Sequence, residues 1–328
     1  MKTIKKCIAV VLTILLLVSM CGCTSGNSSQ HTDNQQYDST ISKTAQWLLT
    51  TKQEPVYGSI GGEWLVLGLS RSETEVPEGY YENYYQNVTA YVKQCDGILD
   101  NRKYTEYSRV ILALTAIGKN PADVAGYNLL VPLADFEQTI FQGVNGPVYA
   151  LLALDSGDYE IPENIADSTQ ATRQMYVDYI LSKEAAEGGW SLAGSEGDVE
   201  ITAMVLQALA GYMDQQAVKE AVERGLQFIS EQQNDNGGFA SFGAESSESI
   251  SQVMVALAEL GISPDDSRFV KNGNSLYKRL LEFMMDDGSF CHVQGSEKGD
   301  IMATEQAFYA IVATDRAAQG KTSLYKMP

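Results

Sequence analysis

At 328 residues, with 44% apolar side chains, the chain carries enough core-forming material for one large domain. Its 42 Asp and Glu against 23 Lys and Arg give a formal charge of −19, which speaks against nucleic acid and anionic lipid as partners. Two histidines and five cysteines also leave little material for a zinc site or a Ser-His-Asp triad.

Lys2, Lys5 and Lys6 open the chain, and an apolar run follows at 8–20, too short to span a bilayer with such flanks. The run closes on Met20-Cys21-Gly22-Cys23, followed by Thr, Ser, Gly and Asn. That order resembles a bacterial lipoprotein signal: residues 1–22 are expected to be removed and Cys23 to be lipidated as the mature N-terminus. An ordinary secretory signal is the alternative. The expected location is extracytoplasmic, with Cys23 holding the protein on the outer face of the cytoplasmic membrane of a Gram-positive bacterium. Cleavage before Cys23 removes three lysines and no acids, taking the net charge to about −22. Residues 23–43 contain few apolar anchors and are expected to form the lipidated cysteine and a flexible tether.

Helical periodicity begins near Thr44 and predicts one helical domain over 44–316, with a C-terminal tail at 317–328. Six stretches, at 62–69, 107–114, 146–154, 202–209, 250–257 and 304–311, share small-apolar composition and close on Ala-Leu or a close relative. Their spacing of roughly 40–55 residues is that of a helical repeat array. Each is preceded by a more amphipathic helix, as at 224–232, and joined by turns such as Gly188-Gly189-Trp190, Asn236-Gly237-Gly238-Phe239 and Asp287-Gly288-Ser289-Phe290. A helix apolar all round is buried on both sides. Half-wet and fully buried helices in alternation therefore fit two concentric rings, with the wet helices outside. The Tyr-rich stretch around Tyr80, Tyr81, Tyr84, Tyr85 and Tyr91 fits either an outer helix or a lid. Cys95 and Cys291 fall in the second and sixth repeats and are expected as free thiols rather than a bridge.

The segment 224–232 with Asn236-Gly237-Gly238-Phe239 resembles the Gln-Trp repeat of squalene cyclases and protein prenyltransferase β-subunits, with Phe239 in the Trp place. Asp198-Val199-Glu200-Ile201-Thr202-Ala203 resembles the Asp-x-Asp-Asp-Thr-Ala motif of class II terpene cyclases. From Asn145 onward the chain is similar to a bacterial exported group carrying prenyltransferase and squalene-oxidase repeats. Vitamin B12 carriers of the transcobalamin type are similar in fold. The resemblance implies an all-α, closed (α/α)6 toroid of six helical hairpins, an inner ring nested in an outer one.

In such a ring the starts of the inner helices face one rim. The resemblance places Asp198 on the first acid of the cyclase motif and Glu200 on the proton donor, while Ile201 replaces the last acid. The competing account of these two acids is helix capping. Glu63, Trp64, Tyr107, Asn145, Glu248, Thr304 and Glu305 are expected to share the rim as ligand-binding residues, with Trp64 and Trp190 also fitting as wedges between hairpins. The zinc of prenyltransferases needs Asp, Cys and His ligands, and the flanking pattern is missing at Cys291-His292. No metal and no cofactor is expected. The leading functional expectation is a surface-anchored, non-catalytic binder of a bulky small molecule, corrinoid or isoprenoid, or of a second surface protein. The alternative is a divergent class II isoprenoid cyclase of squalene type with Glu200 as proton donor.

Overall fold

Six helices of this chain have no polar face wide enough to meet water, and the fold supplies each with neighbours on both sides. The computed structural model describes residues 28–164, 166–241 and 244–327, so the signal segment and Cys23 lie outside the described residues. In chain order the α-helices are α1 (Ser28–Thr51), α2 (Trp64–Ser72), α3 (Tyr80–Gln94), α4 (Thr105–Ala116), α5 (Phe136–Thr139) and α6 (Asn145–Ser156). They continue as α7 (Arg173–Ser182), α8 (Val199–Leu209), α9 (Gln216–Gln232), α10 (Ser247–Glu259), α11 (Leu276–Leu281) and α12 (Ile301–Ala318). The third outer position is the least regular, since α5 is a single turn between short 3-10 segments at Val131–Ala134 and Ile140–Gln142.

The even-numbered helices pack in sequence, α2 on α4, α4 on α6, α6 on α8, α8 on α10 and α10 on α12, and α12 packs back on α2. The inner ring therefore closes. Outside it, α7 lies on α6, α9 on α8 and α11 on α10, while α1 lies on α12 and bridges the seam between the chain's two ends. The Tyr-rich stretch is the outer helix α3, with Tyr80, Tyr84, Val88 and Val92 buried. The only strands among the described residues are a two-residue pair, Ala240–Ser241 with Ala244–Glu245. None of the described helices is long and apolar enough to cross a membrane.

One turn is reused around the ring. Gly188, Gly237 and Gly288 have φ of 94°, 92° and 94°, and each precedes a fully buried aromatic, Trp190, Phe239 or Phe290. A Cβ on Gly288 would come within 2.8 Å of the Lys43 carbonyl oxygen, so the sixth turn seats directly on α1. The seam is further tied by Thr40 Oγ1 to the Tyr277 hydroxyl (2.9 Å) and by Trp47 Nε1 donating to Asp287 Oδ2 (3.0 Å).

These contacts correct the expected boundary at the N-terminal end and show how the tail that follows the last helix at Ala318 is held. Helix α1 begins at Ser28, not near Thr44, so residues 28–43 are not a flexible tether. A sparse stripe of Tyr37, Ile41, Ala45 and Leu48 at helical spacing is buried and holds an otherwise polar outer helix. Nor is the C-terminal tail loose. Leu324, Tyr325 and Met327 are buried, and Arg71 donates to the carbonyls of Thr322, Ser323 and Lys326. Cys95 and Cys291 are free thiols, the former half-buried and the latter buried.

Candidate functional site

Because the helices alternate in direction, every connection leading into an inner helix lies at one end of the ring, which we call the rim. The opposite end holds the C-terminal segment. Three rim helices start alike: Asp198, Ser246 and Asp300 each accept the third helical N–H, from Ile201 (2.9 Å), Ser249 (3.1 Å) and Ala303 (2.9 Å). Asp198 is thus the N-cap of α8, which is the structural role weighed against the catalytic one. Thr304 is likewise structural: its buried hydroxyl accepts from the Phe290 N–H at 2.9 Å, as Thr202 does from Trp190.

Glu200, one turn inside α8, sits differently. Ser249 Oγ donates to its Oε1 at 2.6 Å and is itself paired with Ser246 Oγ at 2.8 Å. Burial raises the Glu200 pKa, the Ser249 hydrogen bond opposes that, and the charges of Asp198 and Glu248 reinforce it. Glu248 is the repeat equivalent of Glu200 on α10; it is buried and both its oxygens lie 2.9 Å from His292 Nδ1. Chain order conceals this cluster, because its members come from α8, α10 and the connection before α12.

A second group lies between α2 and α4. Arg109 Nε donates to Glu63 Oε2 at 2.9 Å, and its other nitrogens reach Glu106 at 3.0 and 2.7 Å. Tyr84 and the Gly58 N–H also donate to Glu63. Burial opposes the Arg109 charge, but the carboxylates of Glu106 and Glu63 more than offset it and raise its pKa. Glu305 accepts from the Gly61 N–H at 2.7 Å and joins the last inner helix to the entry of the first. Burial pushes its pKa up to about 8, against that hydrogen bond.

The expected rim residues therefore separate. Glu63, Glu200 and Glu248 are at the rim in polar clusters. Glu305 and Thr304 are buried joints. Tyr107 is turned into the connection, its hydroxyl accepting from the Leu99 N–H at 3.0 Å, and is removed from the shared mouth. Asn145 begins α6, and its buried Oδ1 has no hydrogen-bond partner among the described residues. Trp190 is a wedge with Nε1 on the Ile180 carbonyl, but Trp64 is not.

Trp64 points across the ring. Its side chain is 5.8 Å from Tyr149 on α6 and 6.0 Å from Tyr309 on α12, centroid to centroid. Helices α2 and α6 are not ring neighbours, so this contact spans the centre. Below it runs a line of hydrogen bonds along the inside wall. The Tyr325 hydroxyl donates to Gln207 Oε1 (3.0 Å), Gln207 Nε2 to Gln252 Oε1 (3.0 Å), and Gln252 Nε2 to Tyr309 and Gln306 (2.6 and 2.8 Å). Sequence reasoning did not find this line. Its signal was present as one glutamine, Gln207, Gln252 or Gln306, in each of three successive inner helices.

These features sit in a known architecture. A variant of the type II terpene cyclase MstE from Scytonema superposes with a TM-score of 0.56 at 14% identity, covering 88% of this chain and 99% of that one. A second MstE variant, in complex with geranylgeranyl dihydroxybenzoate, gives 0.55 at 13% identity with the same coverage. Unsaturated glucuronyl hydrolase from Bacillus sp. GL1 gives 0.57 at 11% identity over 89% and 99%. The fold is the α/α toroid. At these identities the likeness extends to the fold alone. No family model matches the chain, and no curated protein matches it either.

Proposed function

We propose that this protein is a non-catalytic binding toroid that works from its rim, carried outside the cell on a lipid at Cys23. The observation that carries the reading is the Trp64 contact with Tyr149 across the ring, backed from below by Tyr325 of the C-terminal segment. Polyene cyclisation needs an apolar chamber that folds the substrate and shields carbocations from bases. Here the centre holds the protein's own aromatic rings and a line of glutamine amides, whose carbonyl oxygens would capture a cation. Asp198 is the cap of α8, and Ile201 stands where the cyclase motif has its last acid. A bulky ligand, corrinoid, isoprenoid or a protein surface, is then held at the rim rather than swallowed.

A divergent isoprenoid cyclase is the second reading. One observation favours it: burial and the neighbouring acids Asp198 and Glu248 raise the Glu200 pKa, as a proton donor requires, against the hydrogen bond that Ser249 donates to it. The assay that separates the two is incubation of the full chain with squalene and geranylgeranyl-type polyenes, with products resolved by mass spectrometry. The binding reading predicts recovery of unchanged polyene from wild type and Glu200→Gln alike. A cyclic product from wild type that vanishes in Glu200→Gln overturns it.

A further inference from the structure

The two ends of the ring differ in what they expose. Among the described residues, the exposed large apolar side chains are Val56, Ile60, Ile98, Phe141, Leu192 and Met302, each between 39% and 54% accessible. All six lie on connections into inner helices or on the first turn of one. None lies on the connections at the opposite end. Scattered single apolar residues need no explanation, but confinement to one face of a symmetric ring does. The same face is strongly acidic. Residues 52–63, 95–106, 140–145, 183–200, 233–248 and 284–302 carry 17 Asp and Glu against five Lys and Arg.

We infer that the rim is the docking surface for a second protein, through a face on that partner that is both basic and apolar. This deepens the binding reading above by naming its partner class. Charge decides among the occupants. An anionic bilayer is repelled by the acidic rim, and a second copy of this chain would set like charge against like. A cationic amphipathic helix supplies both halves of the match, apolar side chains for Ile98, Leu192 and the part of Phe141 that Arg102 leaves uncovered, and lysines or arginines for the carboxylates elsewhere on the rim. Orientation agrees. Helix α1 has 24 residues, about 36 Å at 1.5 Å per residue, and runs from Ser28 at the plugged end to Thr51 at the rim. A lipid on Cys23 would hold the plugged end toward the membrane and leave the rim facing outward.

The test is titration calorimetry of the full chain with a synthetic Lys/Leu amphipathic helix of about five turns, against its Glu/Leu counterpart. Vesicles of phosphatidylcholine and phosphatidylglycerol form a third arm. Three triple variants at exposed positions accompany wild type: Ile98→Ser/Phe141→Ser/Leu192→Ser and Glu54→Lys/Glu196→Lys/Glu297→Lys at the rim, and Glu75→Lys/Glu163→Lys/Asp265→Lys at the opposite end. Only the Lys/Leu helix should bind, roughly tenfold more weakly in either rim variant and unchanged in the opposite-end variant. Equal binding of both peptides, or equal loss in the opposite-end variant, overturns the inference. So does vesicle binding, or self-association in sedimentation, that the apolar triple abolishes. None of these readouts involves turnover, so a failure here is distinct from a failure in the polyene assay.

Discussion

The plugged end and the rim are built from the same repeats, yet they differ in how the ring is finished. At the plugged end, Arg71 and Arg316 are buried and bonded to the C-terminal segment, Arg71 through Nη2 and Arg316 through Nε, which donates to the Thr322 carbonyl at 2.9 Å. Glu259 accepts the Leu324 N–H at 2.9 Å, and the Met327 N–H reaches the Ser156 carbonyl at 2.9 Å. Acids outnumber bases on the connections at both ends. Only at the rim do large apolar side chains stand in water among the described residues. One end is finished by the C-terminal segment, and the other carries the exposed apolar side chains on which the docking proposal rests.

The sharpest way to break this contrast is to remove the plug. Ending the chain after Lys321 strips the buried Leu324, Tyr325 and Met327 and leaves Arg71 without carbonyl partners. The expected loss is at least about 4 kcal/mol in denaturant unfolding; a loss under about 1 kcal/mol would show the segment to be an appendage. Next in size is Arg109→Ala, which leaves the fully buried Glu63 carboxylate uncompensated. Removing one partner of such a pair costs about 3–5 kcal/mol, read by the same unfolding titration.

A third effect is set by pH. The Glu305 pKa is raised from 4.5 to about 8 in the folded chain by burial. Between those values the folded state binds more protons than the unfolded one, so stability is full below about pH 4.5 and falls as pH rises toward 8. Glu305→Gln should flatten that fall, seen as a smaller drop in Tm between pH 5 and pH 8. An unchanged slope would show that Glu305 does not carry it. The smallest effect belongs to the rim: Leu192→Ser, half in water already, should move stability by no more than about 0.5 kcal/mol. A large loss there would mean that the rim, like the plug, is structural.

The ring itself was legible because it repeats. Six small-apolar helices at regular spacing, joined by glycine turns with a following aromatic, announce buried helices stacked side by side. Asp198 as a cap was legible for the same reason, since Ser246 and Asp300 occupy its place in other repeats. What stayed hidden was whatever joins distant repeats. The stripe of Tyr37, Ile41, Ala45 and Leu48 is too sparse to mark a helix until α12 is beside it. Tyr325 gives no sign that it enters the ring, and Trp64 reads as another wedge until Tyr149 stands opposite. Tyr107 shows the reverse error: a correct position in the repeat, with a side chain turned away by its bond to the Leu99 N–H.

The central claim is that the ring is closed from below and filled through its middle, and backbone hydrogen exchange tests it directly. The N–H groups of Leu324 and Met327 are bonded to Glu259 and Ser156. Exchange as slow as in the inner helices α8 and α10 is the predicted result. Exchange at the rate of unstructured chain would mean that the plug leaves, that Tyr325 does not hold the centre, and that the ring can open a chamber after all.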